Sequence, residues 1–308
     1  MITQTRLKPI TLFSDDLYDN TPILVKSPLN YIGGKFRILK QIIPFFPTNI
    51  NNFVDLFAGG CNVGININAN AIYFNDNLTF LMDMYKELKI KDIDETINHI
   101  YNRINQLELS LTNEKGYKKL RNLYNHQKNP LDLFVLVAYS FNHQIRFNNS
   151  HEFNNPFGKN RSSFNDSMKR NLLNFISRLK NRNIVFSSIC FDSFDTSFLN
   201  GNDFVYCDPP YLITTGTYND GKRGFKGWNA EEEKSLLNKL DSLHRQGVRF
   251  ALSNVMEHKG KSNELLKRWL KLNKHYKVNH LNFDYSNSNY HTKVKDKDSS
   301  KEVLIINY

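Results

Sequence analysis

Four consecutive residues, Asp208-Pro209-Pro210-Tyr211, carry the clearest chemical signal in this chain of 308 residues. They follow the apolar run Phe204-Val205-Tyr206-Cys207, which reads as a buried strand. In an open parallel sheet, ligands bind at the carboxyl ends of such strands. A carboxylate from Asp208 and a backbone carbonyl fixed by Pro209 and Pro210 can accept both hydrogens of an aromatic exocyclic amine, while the Tyr211 ring stacks on the base that carries it. Accepting those hydrogens drives the nitrogen toward tetrahedral geometry and makes its lone pair a nucleophile. Asp208 need not remove a proton first, and an ordinary aspartate, with a pKa of about 3.9, could not do so. The same four residues also suit an inert proline turn beside an aromatic, so the neighbouring motifs have to decide.

Two further groups bear on such a site. Asp55-Leu56-Phe57-Ala58-Gly59-Gly60 ends another apolar run, and a glycine turn there lets the backbone approach a ligand closely. Asp76 closes the next apolar run, about 20 residues beyond the turn, where an acidic side chain suits a ribose diol. Glycine turns also close many ordinary βα units, and the six-residue dinucleotide fingerprint is missing. Tyr31-Ile32-Gly33-Gly34-Lys35 precedes a helical pattern. Alone it is a commonplace turn, without the spacing of a phosphate-cradling loop.

These groups need an α/β frame to meet. Ile38, Leu39, Ile42 and Ile43 recur at helical spacing until Pro44 and Pro47 stop them. The run 52–57 reads as a strand, Val63 to Ile67 opens a helix, and Ala71 to Phe74 is a second strand, together a parallel βα unit. From about 80 to 180 the pattern changes to amphipathic stretches, Leu107 to Tyr124 and Leu131 to Tyr139, followed by an Asn-rich aromatic segment over 141–165. Residues 111–180 hold 12 Lys/Arg against 4 Asp/Glu, so the positive charge concentrates in what reads as an inserted basic module. Strands resume at 184–186 and 203–207, then come a helix over 230–246, a strand over 248–252 and a last strand over 302–308. The residues up to about 27 read as an irregular arm.

Composition narrows the function. With 40% hydrophobic and 23% charged residues the chain is neither disordered nor fibrous, and its length suits one large or two modest domains. It has no run of 18 apolar residues, and its start lacks the pattern of a signal peptide. Cys61, Cys190 and Cys207 are too few and too scattered for a disulfide framework or a zinc site, which suggests a reducing, intracellular compartment and no metal. A formal net charge of +11 points to a polyanionic partner.

Taken in order, Tyr-x-Gly-Gly-Lys, Asp-x-Phe-x-Gly-Gly, a basic insert containing Pro156-Phe157-Gly158-Lys159, and Asp-Pro-Pro-Tyr resemble the Dam-type, α-class DNA adenine-N6 methyltransferases. Through Phe53 to Phe57, Asn155 to Lys159, Asp203 to Thr214, Leu240 to Leu243 and Ser253 to His258 the likeness looks closest to the T-even phage Dam enzymes. It covers roughly residues 28–308. The resemblance implies a class I S-adenosylmethionine-dependent, Rossmann-like α/β sheet with an inserted helical target-recognition domain. Its division would be an arm at 1–27, a catalytic domain at 28–80 and 181–308, and target recognition at 81–180. It implies a site-specific, adenine-specific DNA methyltransferase of the bacterial cytoplasm, with double-stranded DNA as partner, no membrane, and room for a restriction endonuclease partner.

Carried over position by position, the catalytic residues are Asp208, Pro209, Pro210 and Tyr211. The cofactor residues are Tyr31, Lys35, Asp55, Phe57, Gly59, Asp76 and again Asp208. An adenine inside a duplex cannot reach such a pocket, so the base would be flipped out against Tyr211. The resemblance further implies a hairpin over 141–160 that reads base edges, with Arg146 on a guanine and Asn142, Gln144, Pro156, Lys159, Asn160 and Arg161 on the DNA. Taken alone, Arg146 also suits a solvated side chain or a phosphate contact, and Phe141, Phe153 and Phe157 suit wedges or hairpin core. Asn30 stands where the bacterial Dam enzymes have a base-reading lysine, Gln144 where the family has an apolar residue, and Asn160, with Arg161 one place later, where the phage enzymes have arginine, which bears on the GATC target but leaves the catalytic motif intact. An RNA or protein-glutamine methyltransferase would mostly carry Asn where Asp208 stands, and intact Asp208 and Lys35 argue against a DNA-binding protein that has lost catalysis. The segment Tyr218 to Trp228 interleaves Lys222, Arg223 and Lys226 with Gly221, Gly224 and Gly227, which suits a loop on the DNA backbone or a plain surface insertion.

Overall fold

The computed structural model describes residues 23–31, 33–214, 228–282 and 300–308. The Tyr218 to Trp228 segment, apart from Trp228, lies outside them, as does most of the amino-terminal arm. The frame is an eight-stranded, mostly parallel sheet. Its strands are β1 (Asn52–Asp55), β2 (Ala71–Asn75), β3 (Ile184–Ser187), β4 (Phe204–Cys207), β5 (Arg249–His258), β6 (Lys261–Ser262), β7 (Lys277–Leu281) and β8 (Ser300–Ile306). The order is β3-β2-β1-β4-β5-β8-β7, with β6 pairing to β5. β1 pairs in parallel with both β2 and β4, and β8 runs antiparallel between β5 and β7. Strand order therefore reverses between β1 and β4, which opens a crevice at their carboxyl ends.

Alternation along the central strands sends side chains to two cores. Phe53, Phe204 and Tyr206 join one apolar cluster, while Val54, Val205 and Cys207 join the other. The first is roofed by α2 (Thr79–Ile90), α5 (Pro130–Tyr139) and α6 (Asp166–Lys180), the second by α7 (Ala230–Arg245) and α8 (Glu264–Leu272). α1 (Leu39–Ile42) sits between two 3₁₀ turns, with Pro44 in the second, so the expected helix stops where the prolines are. α3 (Ile93–Gln106) and α4 (Glu114–Gln127) complete the helical segment.

Several expectations need correction. Val63 to Ile67 forms a single 3₁₀ turn rather than the start of a helix. The Asn66 side chain bonds Val25 N, Val25 O and Asn62 O, and the Asn62 side chain takes Ser27 N, which ties this crossover to the end of the arm. Gly64 is needed there, because a Cβ would stand 2.4 Å from the Phe74 ring. The stretch from Leu107 to Tyr124 is not one helix: α3 ends at Gln106, and α4 starts after its cap Asn113, which accepts from Gly116 N. Leu131 to Tyr139 is not amphipathic, since every residue of it is buried. The polar segment after α5 folds back antiparallel through the bridges Ser140 to Phe157 and Phe147 to Phe153. β6, α8 and β7 were not anticipated from the sequence.

Candidate active site

The glycine turn after β1 is built by its neighbours. Gly59 adopts a positive φ of 45°, and a Cβ on it would meet the Tyr31 ring at 2.7 Å. Asp76, at the end of β2, accepts from Gly59 N at 3.0 Å and from Leu78 N at 2.9 Å, so it holds the turn in shape. Tyr85 donates to Gly59 O. Phe57 packs in an aromatic group with Phe191 and Trp228, at centroid distances of 5.3 and 5.7 Å. Tyr31, Gly59 and Asp76 thus meet at the carboxyl end of β1, with Phe57 beside them.

Asp55 faces inward at the end of β1, 2% exposed, and accepts from Gly64 N. Burial pushes its carboxyl from an ordinary 3.8 up to about 8, with the Asp208 and Asp76 charges adding to the effect and the Gly64 amide opposing it. The folded chain then keeps a proton that the unfolded chain releases. The stability contributed by this proton is complete below pH 3.8 and is lost as pH rises toward about 8. The Asp55→Asn variant cannot titrate there. Between about pH 5 and 8 its urea midpoint should therefore fall less than that of the native chain, whose stability changes by up to about 1.4 kcal/mol per pH unit at this one site. Parallel midpoints across that range would remove the assignment.

At the end of β4, Asp208 and Tyr211 meet Lys35 and a residue that the sequence reading passed over, Glu302. Lys35 is 5% exposed. Its Nζ lies 2.9 Å from Asp208 Oδ1, 3.5 Å from Glu302 Oε1 and 3.0 Å from Gly33 O. The Tyr211 hydroxyl lies 3.0 Å from Asp208 Oδ1 and 2.9 Å from Glu302 Oε1, with the Lys35 ammonium 5.1 Å from the ring centroid. Burial raises the Asp208 carboxyl above the ordinary range, and Lys35 offsets part of this. Glu302 had one visible signal, an acidic residue heading the apolar strand Val303 to Ile306.

A second buried carboxylate was also missed. Glu233 on α7 accepts from Trp228 Nε1 at 2.7 Å, Asn254 Nδ2 at 3.0 Å and Asn263 Nδ2 at 2.9 Å. It thereby fixes the Trp228 ring against Phe57 and Phe191. Its sequence signal was faint, because Glu231, Glu232 and Glu233 are consecutive and only the third turns inward.

The hairpin residues lie mostly at the surface. Asn142, Arg146, Pro156, Lys159, Asn160 and Arg161 are exposed, and Gln144 is half-buried. Arg161 reaches Asn142 Oδ1 at 3.5 Å and lies over the Phe141 ring. Phe141 is exposed, whereas Phe153 is buried and Phe157 packs on Tyr117. Asn142 and His143 both take left-handed φ values. Asn30 Nδ2 donates to Asn142 O, which joins the segment before Tyr31 directly to the hairpin. Among the described residues, no cluster of His, Cys, Asp or Glu is arranged to hold a metal ion, and no helix is long and apolar enough to cross a membrane.

Comparison with known proteins gives this arrangement a family. Residues 31–282 match the family model described as D12 class N6 adenine-specific DNA methyltransferase. The chain is 51% identical over 289 residues to modification methylase StsI of Streptococcus sanguinis, covering 94% of this chain and 44% of that protein. It is 52% identical over 284 residues to type II methyltransferase M.FokI of Planomicrobium okeanokoites, covering 92% of this chain and 43% of the other. The DNA adenine methylase of Escherichia coli (strain K12) is 24% identical over 233 residues, which is 73% of this chain and 79% of that one. The chain thus spans under half the length of the first two relatives. Half-identity to these modification methylases replaces the expected special nearness to the T-even phage enzymes. What stands is the broader kinship that the ordered motifs indicated: this chain belongs to the D12 class N6 adenine-specific DNA methyltransferases.

Proposed function

We propose that this chain transfers a methyl group from S-adenosylmethionine to the N6 amine of an adenine flipped out of duplex DNA, at one defined sequence, in the bacterial cytoplasm. The observation that carries the reading is the position of Asp208. It lies at the carboxyl end of β4, beside the Gly59 turn of β1 and across the crevice where strand order reverses. The strand order suits a class I methyltransferase sheet, with residues 81–180 as its inserted target-recognition domain.

The family's methyl donor, S-adenosylmethionine, brings a sulfonium that activates its own methyl group, so the chemistry supplied on binding is an electrophilic carbon. The site fits such a group. In a chain of net charge +11, the strand ends gather the carboxyl groups of Asp76, Asp208 and Glu302, with Lys35 as the ammonium paired to them among the described residues, a surplus of acid suited to a cationic ligand, while the buried Asp55 offers a protonated carboxyl for hydrogen bonding. Tyr31, Asp55, Phe57, Gly59 and Asp76 would hold it, with the Gly59 backbone giving close approach. Asp208 and the carbonyl between Pro209 and Pro210 accept the amine hydrogens, Tyr211 stacks on the base, and Lys35 holds Asp208 in place at 2.9 Å while offsetting part of the rise that burial gives its carboxyl. Proximity and alignment of the amine with the methyl-sulfur axis contribute to the rate of such a transfer, and no covalent enzyme intermediate is needed.

On the DNA side, Arg146 is proposed to read a guanine, Asn142 and Gln144 to flank it, and Pro156, Lys159, Asn160 and Arg161 to seat the hairpin on the duplex. Phe141, exposed on a strained turn and held by Arg161, suits a wedge into the base stack. The target is proposed to be GATC or a related site.

The test is transfer of labelled methyl by the purified chain to a set of duplexes, with N6-methyladenine identified by nucleoside mass spectrometry. The native chain should methylate a subset sharing one site. Arg146→Ala should lose about 1 to 3 kcal/mol of discrimination at a single base pair. Equal losses on every duplex would make Arg146 a phosphate contact, and no N6-methyladenine with the native chain would overturn the proposal.

A further inference from the structure

We propose that Glu302 is a positioning residue for the transfer, acting through the hydroxyl of Tyr211; this rests on the function proposed above. Glu302 is 1% exposed at the start of β8, antiparallel to β5, which brings a carboxylate from the end of the chain to the carboxyl ends of the parallel strands. A buried carboxylate persists when it has partners. Glu302 has two of them inside the catalytic group, the Tyr211 hydroxyl at 2.9 Å and the Lys35 ammonium at 3.5 Å.

The hydroxyl of Tyr211 has a single hydrogen and, among the described residues, two carboxylate oxygens within reach, Asp208 Oδ1 at 3.0 Å and Glu302 Oε1 at 2.9 Å. It donates to one at a time. When it donates to Asp208, together with Lys35, it draws charge from the group that has to accept the amine hydrogens. When it donates to Glu302, Asp208 keeps its acceptor strength for the amine, and the ring of Tyr211 stays pinned by its hydroxyl in the plane that a stacked base would meet. Glu302 therefore decides which of two states the Tyr211 hydroxyl occupies, and the productive one needs its oxygen more than its charge.

Glu302→Ala should lower kcat by about 10- to 100-fold, the equivalent of a hydrogen bond to a charged group, with little change in KM for DNA. Glu302→Gln retains an oxygen for the hydroxyl and should recover most of that loss. In a Tyr211→Phe background there is no hydroxyl to direct, so adding Glu302→Ala should lower kcat little further. If the Ala chain does not fold, Glu302→Met fills the volume without an acceptor and takes its place. Loss that multiplies with that of Tyr211→Phe, a Gln variant as slow as the Ala variant, native kcat in the Ala variant, or a change confined to KM would each overturn the proposal. A second readout needs no reaction. The ¹³Cζ resonance of Tyr211, assigned by its disappearance in Tyr211→Phe, should shift in Glu302→Ala and return toward its native position in Glu302→Gln. A native chain that transfers no methyl overturns the proposed function, while an unmoved resonance overturns the role of Glu302 whatever the activity.

Discussion

Replacing Asp208 with Ala is expected to reduce methyl transfer by roughly a thousandfold or more, the scale seen when a polar group aimed at developing charge is removed. Binding to duplex DNA should change little, because the exposed basic residues of the hairpin do not touch Asp208. Loss of fold would be the trivial explanation, and the geometry argues against it. Lys35, deprived of Asp208, still has Glu302 Oε1 at 3.5 Å and Gly33 O at 3.0 Å, so its charge is not stranded. Cofactor affinity should weaken as well, since Asp208 is part of the acidic surplus at the strand ends. Single-turnover assays with saturating cofactor separate the two effects. Turnover equal to that of the native chain would remove Asp208 from the chemistry.

The largest loss of stability is expected at Glu233, which does not belong to the group formed by Lys35, Asp208, Tyr211 and Glu302. Its carboxylate is fully buried and satisfies three donors, one indole and two carboxamides. Glu233→Ala leaves all three without that partner in a dry interior, at a cost of about 3 kcal/mol or more. Glu233→Gln, nearly the same shape, offers no rescue: Oε2 takes the indole and Oε1 takes both carboxamides, so one end of a Gln would place N–H against N–H. Both variants should shift the urea midpoint down together. They should also weaken cofactor binding, because Trp228 then loses its anchor beside Phe57 and Phe191. A midpoint within about 1 kcal/mol of native stability for the Gln variant would show that the network tolerates rearrangement.

Those parts of the candidate site that lie within short segments are legible in the sequence. Asp208 to Tyr211, the Gly59 turn and Lys35 are legible because strand ends and glycine turns have local signatures, and apolar runs located β1, β2, β3 and β4. Groups brought in from a distance were not legible. Glu302 reaches Tyr211 across 91 positions, through a pairing of β8 with β5 that no local pattern encodes. Glu233 looks like an ordinary acidic residue in the first turn of a helix, where it favours the dipole, until the fold buries it. The false helix at Val63 to Ile67 has the same origin. Its apolar spacing was genuine, but the carboxamides of Asn62 and Asn66 bind the arm and divert the chain.

The central claim is that this chain methylates adenine N6 at a defined site through Asp208. It is tested most directly by single-molecule sequencing of DNA from a host without its own adenine methylation, expressing either the native chain or Asp208→Ala. N6-methyladenine confined to one sequence context with the native chain, and absent with the variant, is the predicted result. Methylation that persists in the variant, or an absence of methylated adenine with a well-expressed, folded native chain, would contradict it.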